Sequence, residues 1–311
     1  MKIKYSYLIL LFCCFFTRFC LSQDQDQNQK NNNSSLLSLD YESITERWEM
    51  DSTPTKGPLK ILPYKPVYML FGNYTSDRNV QPTSDNPNNV VGDPLPYEDV
   101  ELKFQVSFKT RFLKKEWTRA IGVDLWLAYT QTSWWQLYSP DISRPFRETN
   151  YQPEFIIIKE MPIKWGNLNW VYTGLSFNHQ SNGRSNPISR SWNRVILHTG
   201  WELEDWSFIV KAQWRLPEDS ELNDNPGMAN YLGRADALVS YRKKRHNISC
   251  FGRHSLNDGS DNRGSVQVDY VYTIPNIVKL QLQIFHGYGE SMIDFNHKQT
   301  TIGFGVSLIE W

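Results

Sequence analysis

Three polar residues with the spacing of a hydrolytic site stand out in the sequence: His179, Ser181 and Asn193. A serine can attack an acyl carbon when a histidine removes its proton and a third polar side chain orients the imidazole. An asparagine can fill the third role because its amide oxygen accepts a hydrogen bond from the imidazole N–H. Isolated His-x-Ser sequences also occur by chance in loops, so this interpretation depends on where the three residues lie in the fold.

The segment that ends at the histidine and the serine alternates between two faces. Leu175 and Phe177 share a face with His179 and Ser181, whereas serine, asparagine and glutamine occupy the positions between them. Asn193 lies on the apolar face of the next segment, and a hairpin of the two would bring it beside His179. If that face meets lipid, polar groups on it are disfavoured, which favours a catalytic role. An amide would also be less costly there than a carboxylate.

The elements that must position this site are predicted to be the strands of a barrel. About twelve segments from Pro66 onward alternate with period two, and several reach about ten residues, enough to cross a bilayer at a tilt. Alternating short turns and longer polar loops are typical of outer-membrane barrels. We therefore predict an all-β fold, a twelve-stranded antiparallel transmembrane β-barrel with a polar lumen filled by side chains and water. A soluble β-sandwich is the alternative, although its strands are usually shorter.

The composition agrees with a barrel and argues against a nucleic-acid-binding protein. The 311 residues include 33 basic and 33 acidic side chains, so nothing in the charge favours nucleic-acid binding. Aromatic residues make up 14% of the chain, and the one long apolar run is at the N-terminus. Three of the four cysteines lie in residues 1–22. If these residues are removed, Cys250 remains alone, and no internal disulfide is expected.

The N-terminal part of the chain is predicted to lie outside the barrel. Residues 1–22 have the basic start, apolar centre and small final residues of a secretory signal peptide, with lipidation at Cys20 as the alternative. Residues 23–60 are polar and low in complexity, and a largely disordered lead-in is expected. Within them, residues 44–48 could form a short helix or a periplasmic contact. The barrel domain is expected over residues 61–311.

A polar loop follows the candidate serine and could assist the chemistry. Gly183 permits an exposed backbone N–H at a tight turn, which could stabilise an ester oxyanion. The stretch from Gly183 to Ser191 is dense in Ser, Asn and Arg and offers oxygen ligands to a hard cation such as calcium. Loops of this composition are usually only turns, so the metal motif is weak by itself.

Two motifs around these residues are specific enough to indicate a family. Residues 178–185 (Asn-His-Gln-Ser-Asn-Gly-Arg-Ser) and 189–194 (Ser-Arg-Ser-Trp-Asn-Arg) closely resemble the signature of the outer membrane phospholipase A family. Three further segments support the resemblance: residues 129–136, 145–151 and 287–291. The resemblance extends from about Pro66 to the C-terminus, and the motifs are long and ordered.

The resemblance implies an outer-membrane enzyme of a Gram-negative bacterium. It implies calcium-dependent hydrolysis of phospholipid acyl esters at sn-1, sn-2 or both, with His179, Ser181 and Asn193 as the triad. The Gly183 amide and a calcium-bound water would form the oxyanion hole. The active form would be a homodimer with Gln131 at its interface, and the monomer would be latent. The alternative for such a barrel is a non-enzymatic protein, porin-like or structural.

The resemblance also implies a set of calcium ligands. Calcium would be held by the backbone carbonyl of Arg184 and the hydroxyl of Ser189, with Ser143 of the partner subunit completing the site. Asp224 matches the family's position for an alternative calcium site in the monomer. The sequence departs from the family at Asn186, where members can carry aspartate, so weaker calcium binding is expected.

Overall fold

The computed structural model describes four ranges of the chain. They are residues 43–50, 60–113, 121–219 and 223–311. All of them belong to one compact unit, Asp40–Trp311, and the unit Met1–Leu39 lies outside the described residues. The signal peptide predicted over residues 1–22 therefore lies outside them as well. Within the four described ranges, no helix is long and apolar enough to cross a membrane.

Twelve long antiparallel strands and one two-residue strand form a single sheet. The strands are β1 (Leu62–Pro63), β2 (Val67–Thr75), β3 (Val100–Arg111), β4 (Asp124–Trp135), β5 (Phe146–Trp165), β6 (Leu168–Ser181), β7 (Ser191–Leu203), β8 (Trp206–Arg215), β9 (Ala235–Lys243), β10 (His246–His254), β11 (Gly264–Ile274), β12 (Val278–Tyr288) and β13 (Lys298–Ile309). Each strand from β2 to β13 pairs with its neighbour in sequence, and β2 also pairs with β13. This closes the ring and confirms the predicted twelve-stranded barrel. Strand β1 pairs with the end of β3 that β2 does not cover.

The two ends of the barrel differ in how the strands are joined. At one end four connections have only two or three residues, namely 166–167, 204–205, 244–245 and 275–277. At the other end the loops are longer, and they include residues 76–99, 136–145, 182–190, 216–234, 255–263 and 289–297. These longer loops contain helix α2 (Ala229–Leu232) and the 3-10 turns Pro87–Asn89, Pro140–Ile142 and Gly259–Asp261. Strand β6 ends in residue 181, so the candidate serine lies at the long-loop end.

Burial along the strands is the reverse of that in a soluble protein. On β3, Val106 and Phe108 are 44% and 37% exposed on the outside of the barrel. Lys103, Ser107 and Lys109 alternate with them and are at most 3% exposed because they point into the lumen. A sheet with an apolar outer wall and a polar interior suits lipid outside and hydrogen bonds inside. The period-two pattern of the sequence thus corresponds to lipid-facing and lumen-facing positions.

Buried ion pairs fill much of the lumen near the long loops. Glu101 is fully buried and accepts bonds from Arg78 at 2.8 Å and from Arg147 at 2.9 Å. Arg147 also bonds Asp294 at 2.9 Å. Buried charges are tolerated when each has hydrogen-bonded partners, and removing one partner is strongly destabilising. The lumen also holds a cavity of about 210 Å³.

A short N-terminal helix packs inside the barrel at the short-turn end. Helix α1 (Ile44–Arg47) is capped by Ser43, and residues 43–50 fall within the stretch for which a disordered lead-in was expected. Trp48, directly after the helix, is 3% exposed and packs edge-on against Trp126 with ring centroids 5.7 Å apart. The Lys109 ammonium lies 3.3 Å from the centre of the Trp48 ring, a cation–π contact. An aromatic side chain therefore orders a segment whose composition is otherwise polar.

Candidate active site

The hairpin of β6 and β7 brings two of the three candidate residues together. Its register sets His179 directly opposite Asn193, and the imidazole Nδ1 lies 2.9 Å from the amide Oδ1. Because that oxygen can only accept, Nδ1 carries the proton and Nε2 is left as the basic nitrogen. His179 is exposed on the outer wall, on the same face as the exposed Phe177 and Leu197. The hairpin therefore presents the tautomer that a general base requires, facing outward.

Ser181 lies two residues beyond the histidine, on the same face of β6. It is half-buried, and its neighbours in register are Ser191 on β7 and Tyr151 on β5. Within the described part of the chain, no hydrogen bond joins its hydroxyl to His179. Catalytic hydrogen bonds are often long in the free enzyme and tighten with substrate bound. The fold thus sets Ser181 beside the histidine without forming the bond that catalysis requires.

The loop after Ser181 contains the candidate oxyanion donor. Gly183 has a φ of +61°, and a Cβ at this position would lie 3.0 Å from the Tyr151 ring. Glycine is required here because other residues would be strained in this conformation and would also crowd the ring. Among the residues that the structure describes, none accepts a hydrogen bond from the Gly183 N–H. That donor therefore remains available beside the serine.

The residue proposed for the dimer interface lies in one row with the serine. Gln131 on β4 pairs with Tyr151 on β5, which pairs with Ser181 on β6. Neighbouring strands lie about 4.8 Å apart, so Gln131 is about 10 Å from the serine along the outer wall. Its amide accepts a bond from the Tyr129 hydroxyl at 2.9 Å and donates to Ser133 at 3.3 Å.

Two of the proposed calcium ligands meet across separate loops. The Ser189 hydroxyl donates to the Asp224 carboxylate at 2.5 Å. The Arg184 side chain is directed elsewhere, since its guanidinium donates to the Phe146 carbonyl at 2.6 Å. Asn186 accepts a bond from Asn89 at 3.1 Å. A hydroxyl, a carboxylate and loop carbonyls are the hard oxygen donors that calcium prefers.

Ser143, proposed to act from the partner subunit, forms no hydrogen bond with these ligands within the described part of its own chain. It is exposed, with a φ of +62°, at the end of the 3-10 turn Pro140–Ile142. This turn belongs to the loop between β4 and β5, the strands that contain Gln131 and Tyr151. An exposed position on that loop is compatible with contact to a second barrel.

Comparison with known proteins decides the family. The family model described as Phospholipase A1 matches residues 44–308, most of the chain. The chain belongs to the phospholipase A1 family. A curated member, the putative phospholipase A1 of Neisseria meningitidis serogroup B, is 35% identical over 276 residues. That alignment covers 86% of this chain and 70% of the relative.

Solved structures of phospholipase A1 family relatives have the same barrel. The outer membrane phospholipase A from Escherichia coli matches with a TM-score of 0.70 and 29% identity, covering 80% of this chain and 94% of that one. A Salmonella typhi outer membrane phospholipase, a dimer with bound calcium, matches with a TM-score of 0.72 and 30% identity over 86% and 98% of the two chains. The predicted family is confirmed, and the chain is an outer-membrane β-barrel hydrolase of a Gram-negative bacterium.

Two residues that sequence reasoning missed support the site in this phospholipase A1 family member. Asn182 is buried, and its amide bonds the backbone of Arg184 near the start of the loop after Ser181 and of Ile188 and Arg190 at its end. Glu218 accepts a bond from Asn193 Nδ2 at 3.2 Å. Asn182 is part of the family-like motif, so a signal was present. Glu218 lies in a polar loop 25 residues from Asn193, and alternation along strands gives no information about it.

Proposed function

We propose that this chain hydrolyses acyl esters of membrane phospholipids with a triad of Ser181, His179 and Asn193, as a calcium-dependent homodimer. The observation that carries the proposal is the hydrogen bond between His179 and Asn193 on the outer wall, with Ser181 on the same face. Phospholipids in the bilayer surround that wall. A site that faces them needs no channel through the lumen for its substrate.

The geometry supports nucleophilic catalysis by the serine. His179 Nε2 accepts the proton of the Ser181 hydroxyl while its oxygen attacks the ester carbonyl, and the imidazolium then protonates the departing alcohol. Water hydrolyses the acyl-serine with the same histidine as base. Asn193 Oδ1 holds the Nδ1 proton through both steps. The Gly183 N–H would donate to the oxyanion that forms on the carbonyl oxygen.

The proposed ligands fit calcium by their chemistry. They comprise the Ser189 hydroxyl and the Arg184 carbonyl, and the Asp224 carboxylate, proposed for the alternative site in the monomer, accepts a bond from that hydroxyl. Among the described residues, no group of three or more His, Cys, Asp or Glu side chains is placed to hold a metal, so only a mixed site of this kind is proposed. Bound calcium would supply positive charge close to the developing oxyanion. Asn186 contributes no charge, and weak calcium binding is expected from the low ligand charge.

A homodimer would complete the site. The Salmonella typhi relative is a dimer with bound calcium, and for this chain we propose the same assembly with Gln131 in the contact. Ser143 of the partner subunit would add a further oxygen ligand. The monomer would be latent because its calcium site lacks that ligand and its lipid groove lacks a second wall.

The test is fatty-acid release from phospholipid micelles by the purified barrel. Wild type should release fatty acid with calcium and not with a chelator, and Ser181→Ala should be inactive in both. The relatives are named phospholipase A1, so release from the sn-1 position is expected, with substrates labelled at sn-1 or sn-2 as the measurement. Folded wild type without any release would favour a non-enzymatic barrel. Full activity of barrels held as monomers would contradict the dimer.

A further inference from the structure

The Asn193 amide is held from both of its ends. Its oxygen faces His179 Nδ1 at 2.9 Å, and its nitrogen donates to Glu218 Oε1 at 3.2 Å. The other carboxylate oxygen of Glu218 accepts a bond from Arg215 Nη2 at 2.8 Å. The Glu218 and Arg215 side chains are 17% and 13% exposed. The Arg215 and Glu218 end of this hydrogen-bonded series is therefore largely shielded from water, whereas the His179 end is exposed.

The direction of this amide decides whether the histidine can act as a base. An amide has an acceptor end and a donor end, whereas a carboxylate can only accept. If the amide turned over, its NH₂ would face His179 Nδ1 and would favour the tautomer with the proton on Nε2. That nitrogen could then not accept the proton of Ser181. An asparagine in this role needs something that prevents the turnover.

We propose that Glu218 is a positioning residue of the triad, which keeps the Asn193 amide oxygen directed at His179. This inference rests on the proposed function. A carboxylate bonds the NH₂ end of an amide and repels the oxygen end, so Glu218 selects one of the two orientations. Its negative charge behind the amide also offsets part of what the triad loses by lacking an aspartate. Arg215 fixes the carboxylate at the required distance.

The backbone supports the same arrangement. Leu216 N–H donates to the Asn193 carbonyl at 2.8 Å. The segment after β8 is thus tied to Asn193 through its backbone, and Glu218 follows two residues later. Two hydrogen bonds therefore join this segment to Asn193, one to its backbone and one to its side chain. The backbone bond keeps Glu218 close to the amide.

The first experiment compares three full-length variants in detergent with saturating calcium. Glu218→Ala should lower kcat by about 10- to 100-fold while KM stays within about twofold, since substrate binding is untouched. Glu218→Gln keeps an oxygen that can accept from Asn193 and should retain more of the activity than the alanine variant. Asp219→Asn removes the neighbouring, exposed carboxylate and should equal wild type.

The second experiment repeats Glu218→Ala in an Asn193→Asp background. An aspartate has no donor end to select, and Glu218 would face it as a like charge. The alanine substitution should therefore leave activity unchanged or raise it there, although it lowers activity in the wild-type background. A role limited to folding would lower activity by the same factor in both backgrounds. Equal losses, or a Glu218→Ala variant equal to wild type, would overturn the inference.

The two levels of the proposal fail in different ways. If wild type releases no fatty acid, or Ser181→Ala remains active, the proposed function is wrong. If wild type is active, Ser181→Ala is inactive and Glu218→Ala matches wild type, only the role of Glu218 is wrong.

Discussion

Replacing Asn182 by alanine should loosen the loop that carries the proposed calcium ligands. Asn182 is 2% exposed and makes four side-chain hydrogen bonds. Its oxygen accepts from the backbone N–H of Arg190 at 2.9 Å and of Arg184 at 3.3 Å. Its nitrogen donates to the Ile188 carbonyl at 2.7 Å and to Glu148 at 3.3 Å. The side chain thus closes the loop on itself and attaches it to the barrel.

The size of the effect follows from these four bonds. A hydrogen bond inside a protein contributes about 1 kcal/mol net. Giving the two short bonds full weight and the two bonds of 3.3 Å about half weight yields about 3 kcal/mol. In the variant, calcium binding would have to order the loop without these bonds, so the binding free energy would be less favourable by about this amount. Since about 1.4 kcal/mol is a factor of ten, the calcium Kd should rise about 100-fold.

The assay is the calcium dependence of fatty-acid release, with the half-saturating calcium concentration as the readout. At saturating calcium the variant should recover much of its activity, because the triad itself is intact. Asn257→Ala is the control, since that amide also bonds two side chains, those of Arg234 and Asn230, in a different loop. An unchanged half-saturation point for Asn182→Ala would refute the view that this side chain orders a calcium loop.

Three further predictions follow from the fold and the site. Gly183→Ala should lower kcat at least about tenfold. Gly166→Ala is the control, since Gly166 has a similar φ but open space around it, and this variant should affect only stability. Equal kcat values for the two variants would contradict the role of Gly183. Burial raises the pKa of Asp294, but Arg147 outweighs it and holds that pKa below its usual range. In urea titrations, Asp294→Asn should therefore lower the free energy of unfolding above about pH 4. The loss should become smaller as the pH falls through the folded-state pKa of Asp294. An equal loss of unfolding free energy at about pH 3 and about pH 7 would contradict this prediction. A calcium chelator should abolish fatty-acid release without unfolding the barrel on gels, and unfolding would show that calcium holds the fold.

The strands could be predicted because a barrel wall imposes a simple rule on the sequence. One face meets lipid and the other meets a polar lumen, so residues such as Val106 and Lys109 alternate in type as they alternate in direction. The outward direction of His179 followed from the same rule. The pairing of His179 with Asn193 then required only that adjacent segments form a hairpin.

The supporting groups could not be predicted in this way. The lumenal bonds of Glu101 join residues 23 and 46 positions away, and no local pattern specifies which basic residue a buried carboxylate will meet. Glu218 lies in a loop, where side-chain direction has no period. The packing of Trp48 depends on rings from strands that follow it by more than 70 residues, and a polar sequence around it concealed that contact.

The position of helix α1 has a consequence for how the barrel is assembled. The helix precedes every strand that the structure describes, yet Trp48 packs inside the ring against Trp126 and Tyr172. The ring is completed only where β2 meets β13, the first and last of its long strands. The Trp126 and Tyr172 side chains come from β4 and β6, so Trp48 can pack fully only when strands that follow it in the chain are in place. Arg47 also donates to the Glu310 carbonyl beyond the last strand, so the N-terminal segment links the middle and the end of the barrel sequence from inside the wall.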